Sequence, residues 1–116
     1  MLLAEPLTDR VIGFAIEVHR HTGPGLLESV YELCLCRELA DAGIAFARQV
    51  TIPILYKGAD IVVAGEFILE IKAISTILPI HEVQLRTYVR MSGIYVGLLL
   101  NLNVPRLVDG LRRYVM

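Results

Sequence analysis

A chain of 116 residues is long enough for one domain with one core, and we read residues 1–116 as that unit. Its apolar fraction of 55% and mean hydropathy of +0.61 are high for a monomer in water. No apolar run nears the roughly 18 residues that cross a bilayer, which excludes a membrane-spanning helix, and a net charge of −1 excludes a chain that is basic throughout.

Met1-Leu-Leu-Ala-Glu5-Pro6 has no basic region ahead of its short apolar patch, so no signal peptide is expected and the protein is placed in the cytoplasm. Thr8 is a candidate cap for a first helix carrying Val11, Ile12, Ala15, Ile16 and Val18 at helical spacing. Gly23-Pro24-Gly25 ends it. A second helix is expected from Leu26 to Ala42, with Gly43 as its terminator and Leu27, Val30, Tyr31, Cys34, Leu35 and Leu39 as its core stripe. Cys34 and Cys36 fall on different faces of that helix. No matching Cys/His pair follows, so they read as reduced thiols and not as a zinc knuckle.

Ile44 to Tyr56 reads as a strand, with Pro53 marking an edge or a bulge, and Lys57-Gly58 turns the chain back. Ile61-Val62-Val63 and Phe67-Ile68-Leu69 read as two short strands around a turn at Ala64-Gly65-Glu66. Ala73 to Leu78 is a loop. Pro79 suits the first turn of a helix reaching Met91 and stopping near Gly93. Ile94 to Leu100 is a buried strand, parallel to an earlier one because a helix connects them. Val104 to Met116 is a tail containing a short helix or a final strand.

The chemistry concentrates at Asp60, Glu70 and Lys72, in D-I-V-V-A-G-E-F-I-L-E-I-K. Side chains alternate along a strand, so Glu70 and Lys72 share a face and Ile71 takes the other. A turn of odd length puts Asp60 opposite Glu70 on that same face. Two converging carboxylates suit a hard divalent cation, Mg²⁺ or Mn²⁺. A lysine beside them can orient a water or stabilise developing negative charge. This is the equipment of metal-assisted phosphodiester hydrolysis. The bland alternative is a solvated polar face on a surface hairpin; the apolar residues flanking the acids argue instead for internal strands.

Other residues gather around this pattern. Glu28 falls in the first turn of the second helix, where a helix dipole alone would favour an acid. His81, Gln84 and Tyr88 share one face of the later helix, and an inward glutamine there needs polar partners. His81 at a helix start reads first as a capping residue, and His19 and His21 read as loop or helix-end residues. Charge is uneven: residues 1–71 hold five basic and ten acidic residues, whereas residues 72–116 hold six basic and two acidic. A basic half beside an acidic cluster suits a phosphate-backbone ligand, against the plainer reading of a mixed surface.

Gly25-Leu-Leu-Glu28-Ser-Val-Tyr31, preceded by His21-Thr-Gly-Pro, carries a resemblance. It continues through Arg48-Gln49-Val50, Tyr56-Lys57-Gly58, Asp60-Ile-Val-Val63, Glu70-Ile-Lys72-Ala73, Leu78-Pro-Ile-His81, Gln84-x-x-x-Tyr88, Gly97-Leu-Leu-Leu-Asn101 and Asp109-Gly-Leu-Arg-Arg113. Over nearly its whole length the chain resembles the GxxExxY family of the PD-(D/E)XK nuclease superfamily. The resemblance implies an α/β (α+β), restriction-endonuclease-like αβββαβ core, a mixed β-sheet flanked by helices. It implies a metal-dependent nuclease site acting on nucleic acid, DNA foremost. Asp60, Glu70 and Glu28 would hold Mg²⁺ or Mn²⁺, Lys72 would position water, and Gln84 and Tyr88 would orient the substrate. One departure is visible: only Ala59 separates Gly58 from Asp60, where the family has a longer stretch. The shortened hairpin motivates an alternative, a catalytically impaired module that binds nucleic acid or protein. The high apolar content motivates a third reading, a small homodimeric structural protein.

Overall fold

The computed structural model describes residues 5–52 and 58–115. Two helices come first, α1 (Glu5–Thr22) and α2 (Glu28–Asp41). Three strands follow, β1 (Phe46–Val50), β2 (Ala59–Val63) and β3 (Phe67–Lys72). Then come α3 (Pro79–Ser92), β4 (Val96–Asn101), a 3-10 turn over Leu107–Gly110, and β5 (Leu111–Val115). The sheet order is β1-β2-β3-β4-β5. All neighbours are antiparallel except β3 and β4, because α3 returns the chain to the starting end of the sheet before β4 begins. The expected αβββαβ order is α2-β1-β2-β3-α3-β4, extended by α1 in front and β5 behind.

Alternation divides the strand residues between two apolar layers. Ile61, Val63, Leu69, Ile71, Leu98 and Leu100 meet Val11, Ala15, Tyr31, Leu35 and Leu39 of α1 and α2. Ile68 and Leu99 meet Leu85, Tyr88 and Val89 of α3 on the opposite face. With helices on both faces, β4 is buried at every position and β3 at all but Lys72, which is why both read as near-continuous apolar runs. Gly97 lets α3 approach: a Cβ there would stand 2.7 Å from Val89 and 2.8 Å from Leu85.

Several expectations change. Thr8 does not cap α1; it is buried inside the helix, and its hydroxyl accepts a bond from Arg113 Nη2 at 3.0 Å. α2 starts at Glu28, and Leu27 and Val30, expected in its core stripe, are exposed. The inward line is Tyr31, Leu35 and Leu39, joined by Glu32 and Cys36, so the helix is rotated relative to the expected stripe. The strand expected over 44–56 is shorter, ending at Val50; Pro53 to Lys57 lie outside the described residues. The tail holds both a short helical turn and a strand. No described helix is long and apolar enough to cross a membrane.

Candidate active site

The β2–β3 hairpin sets the acids. Its ladder pairs Ile61 with Leu69, Val62 with Ile68 and Val63 with Phe67, leaving the three-residue turn Ala64–Glu66, with Ala64 and Gly65 in the left-handed region (φ 51° and 67°). One further step in this register brings Asp60 level with Glu70, on the face covered by α3. Each acid then bonds the other strand's backbone. The Asp60 amide donates to Glu70 Oε1 at 3.1 Å, and the Ile71 amide donates to Asp60 Oδ2 at 2.8 Å. The carboxylates therefore replace main-chain acceptors where the ladder ends, and their rotamers are held by the sheet. Their other oxygens, Asp60 Oδ1 and Glu70 Oε2, have no hydrogen-bond partner among the described residues.

Burial makes this pair electrostatically tense. Glu70 is only 5% exposed. Its desolvation, followed by the Asp60 carboxylate beside it, pushes the Glu70 carboxyl up to about 8. Asp60 is also raised, chiefly by burial, with the Ile71 amide and then Lys72 opposing. Tyr88 is raised by burial and then by the negative charges of Glu70 and Asp60, which places its hydroxyl in the field of the pair.

One cavity of about 370 Å³ collects every sequence-predicted site residue: Glu28, Asp60, Glu70, Lys72, Gln84 and Tyr88. Lys72 extends the Glu70 face by one strand repeat and forms no salt bridge among the described residues. Gln84 and Tyr88 come from α3, one turn apart. Glu28 reaches the rim from the first turn of α2, and the motif around it has a local explanation. The buried Tyr31 hydroxyl donates to the Gly23 carbonyl at 2.7 Å and accepts from the Leu26 amide at 3.1 Å. That pins the glycine breaker and fixes where α2 begins. Tyr31 is thus spent on the loop and does not line the cavity.

His81 lies outside the cavity walls as well. Its Nδ1 accepts the Leu78 amide at 2.9 Å and caps α3. His19, expected at a helix end, is buried in the last turn of α1, with its ring Nε2 2.8 Å from the Val104 carbonyl.

The cavity wall also contains Gln49, Thr51 and Gly58, which were not singled out as site residues. Gln49 stands between the paired positions Arg48↔Ile61 and Val50↔Ala59, level with Asp60, and its φ of 51° is left-handed. Buried Glu32 holds this segment, accepting from Arg48 Nε at 2.8 Å and Gln49 Nε2 at 2.9 Å. One signal was available: Glu32 lies four residues after Glu28 on the same helix face. Gly58 is required because a Cβ there would overlap the Val50 carbonyl.

The donor set fits a hard cation at the acid pair. Two carboxylates each keep an oxygen free at a polar cavity, and both carboxyls are raised, chiefly by burial. Among the described residues no group of three His, Cys, Asp or Glu side chains forms a metal cage. A cation held by Asp60 and Glu70 would complete its shell with backbone carbonyls, water or a phosphate, as Mg²⁺ commonly does.

Neither a comparison with curated proteins nor one with solved structures found a match. Comparison with protein families matches residues 5–114 to the PD-(D/E)XK nuclease superfamily. That match runs from the first helix into the last strand, so it takes in both the hairpin that sets the acids and the helix that covers them, and the chain belongs to the PD-(D/E)XK nuclease superfamily.

Proposed function

We propose that this protein is a cytoplasmic Mg²⁺- or Mn²⁺-dependent nuclease of the GxxExxY family. Residues 1–116 act as one domain that hydrolyses phosphodiester bonds of nucleic acid, with DNA as the favoured substrate. The observation that carries this reading is the acid pair, locked level across β2 and β3 with its free oxygens facing the same cavity as Lys72. Asp60 and Glu70 hold the cation, with Glu28 supporting from the rim. When bound, the cation neutralises phosphate charge and makes a water more acidic. Lys72 orients the attacking water and stabilises charge on the phosphate oxygens. Gln84 donates its amide to the acids or to a phosphate, and the Tyr88 hydroxyl orients the strand beside it. The test is cleavage of labelled single-stranded DNA, double-stranded DNA and RNA with Mg²⁺, with Mn²⁺ and with chelator. Cleavage that appears with metal and vanishes with chelator is expected; no cleavage of any substrate sinks the catalytic reading.

One observation favours a catalytically impaired binding module instead. Asp60 is only the second residue of β2, so the shortened stretch ahead of it adds little support to the site beyond the two hairpin bonds that hold its carboxylate. Nucleic-acid binding without metal-dependent turnover would select that reading.

We also propose a homodimer. Leu27 just before α2 and Val30 and Leu33 on it are exposed, at 73%, 38% and 54%, and covering them in a second copy accounts for the high apolar content. Sedimentation equilibrium is expected to show concentration-dependent dimers in the micromolar range; a strict monomer there removes the claim.

A further inference from the structure

The arginines of this chain are unevenly partnered. Arg20, Arg37, Arg48, Arg106 and Arg113 each stand within 4.0 Å of an acid. Among the described residues, Arg10, Arg86, Arg90 and Arg112 have no such partner. Arg10 lies over Phe14 on α1. The other three lie on the side of the sheet that α3 covers, with Arg112 next to the cavity that the other two line. Arg86 and Arg90 of α3, with Tyr114 of β5, line a cavity of about 330 Å³. Arg112 and Tyr114 are level with Leu99 and Gly97 of β4, so both project from the sheet face that α3 covers. Among the described residues, Arg112 bonds to main-chain carbonyls, those of Leu111 and Asp109. The neighbouring acid, Glu82, accepts the Tyr114 hydroxyl.

The rest of the surface is not that of an ordinary charged face. The Arg86 guanidinium lies over the Tyr114 ring, 5.1 Å from its centroid. Val83, Met91 and Val115 line the same cavity and are 49%, 40% and 45% exposed. Unpaired cations next to a stacked guanidinium and an apolar floor match a polymer that alternates phosphates with flat apolar faces. A duplex hides its base faces, whereas an unpaired strand presents them.

We propose that the groove between α3 and β5 binds an unpaired stretch of nucleic acid, with Arg90 and Arg112 on phosphates and a base stacked on Arg86. The inference rests on the nuclease reading for the identity of the polymer. Gln84 and Tyr88 occupy the cavity-facing side of α3, and Arg86 and Arg90 the groove-facing side, so the two sites are separated by one helix, about 10 Å. A strand crossing α3 reaches both, and the groove would hold the chain while its neighbour is presented to the acids.

The test is fluorescence anisotropy in chelator, with a short labelled single strand and a duplex of equal length. Wild type should bind the single strand more tightly than the duplex, with affinity falling as salt rises. Arg90→Gln and Arg112→Gln should each weaken binding and flatten the log–log salt dependence by about 0.7. Both arginines are exposed and without an acid partner, so the variants should fold. Arg37→Gln, at an exposed arginine on α2 paired with Asp41, should keep the wild-type slope. Unchanged affinity and slope in both arginine variants would overturn the proposal. So would tighter binding of the duplex, or displacement of the strand by polyglutamate at equal charge. Mn²⁺ titration of the same variants separates the two claims, because failure of wild type to bind metal counts against the nuclease reading and leaves the anisotropy result standing.

Discussion

Glu70→Gln is expected to abolish Mn²⁺ binding and, in metal-free protein, to raise stability at alkaline pH. The metal half follows from removing one of two anionic ligands. The stability half follows from linkage. The Glu70 carboxyl sits at about 8 when folded against an ordinary value of 4.5. Between those values the folded protein binds more protons than the unfolded chain, so wild-type stability falls as pH rises through that window. Below 4.5 both states are protonated and the penalty is absent; above 8 it is fully present. A glutamine never ionises, and its Oε1 can still accept the Asp60 amide. Denaturant titrations in chelator should therefore show little difference near pH 4.5 and a variant more stable by a few kcal/mol near pH 9. Equal stability at pH 9 would mean that Glu70 is not held in the electrostatic setting described. Unchanged Mn²⁺ binding by calorimetry would mean that the metal site is elsewhere.

Lys72→Ala should lose metal-dependent cleavage and keep metal binding. Lys72 follows Glu70 on the same strand face and makes no salt bridge among the described residues, so its ammonium is available to a water or phosphate oxygen. Removing one such electrostatic contact typically lowers the rate by about 10²–10³. Lys72→Arg should rescue poorly, because the guanidinium is larger and planar where a compact charge is needed. Single-turnover cleavage and Mn²⁺ calorimetry on the same preparations decide the matter. Equal cleavage by Lys72→Ala would end the assigned role, and loss of Mn²⁺ affinity would make the lysine part of the metal site.

Legibility followed locality. The nine residues between Asp60 and Glu70 divide into three strand positions, a three-residue turn and three more strand positions, so a period of two was enough to align the acids. The shared face of Gln84 and Tyr88 was readable from helical spacing, but that this face meets the acids depended on α3 docking across β3 and β4. Thr8 was misread because a threonine near a helix start suits a cap as readily as a partner for an arginine more than a hundred residues away. Leu27 and Val30 looked inward because an apolar stripe on a short helix can be drawn in more than one phase. The left-handed backbone at Gln49 leaves no trace in residue type, since that conformation is ordinarily marked by glycine or asparagine. The buried Glu32 clamp joins residues 16 and 17 positions apart, beyond any helical or strand period.

The two halves of the cavity differ in the distance along the chain that must be closed to make them. The acids are ten residues apart within one hairpin, a low-entropy contact. Gln84 and Tyr88 ride on the crossover between parallel strands, whose pairing is non-local and slower to form. Until α3 settles, both carboxylates lie on an open sheet face in water, where ionisation is unpenalised. The desolvation that lifts Glu70 is therefore tied to the docking of α3 on that face. Alkaline pH and a bound cation therefore act in opposite senses on the packing of α3 over the acid pair, the first adding buried negative charge and the second offsetting it.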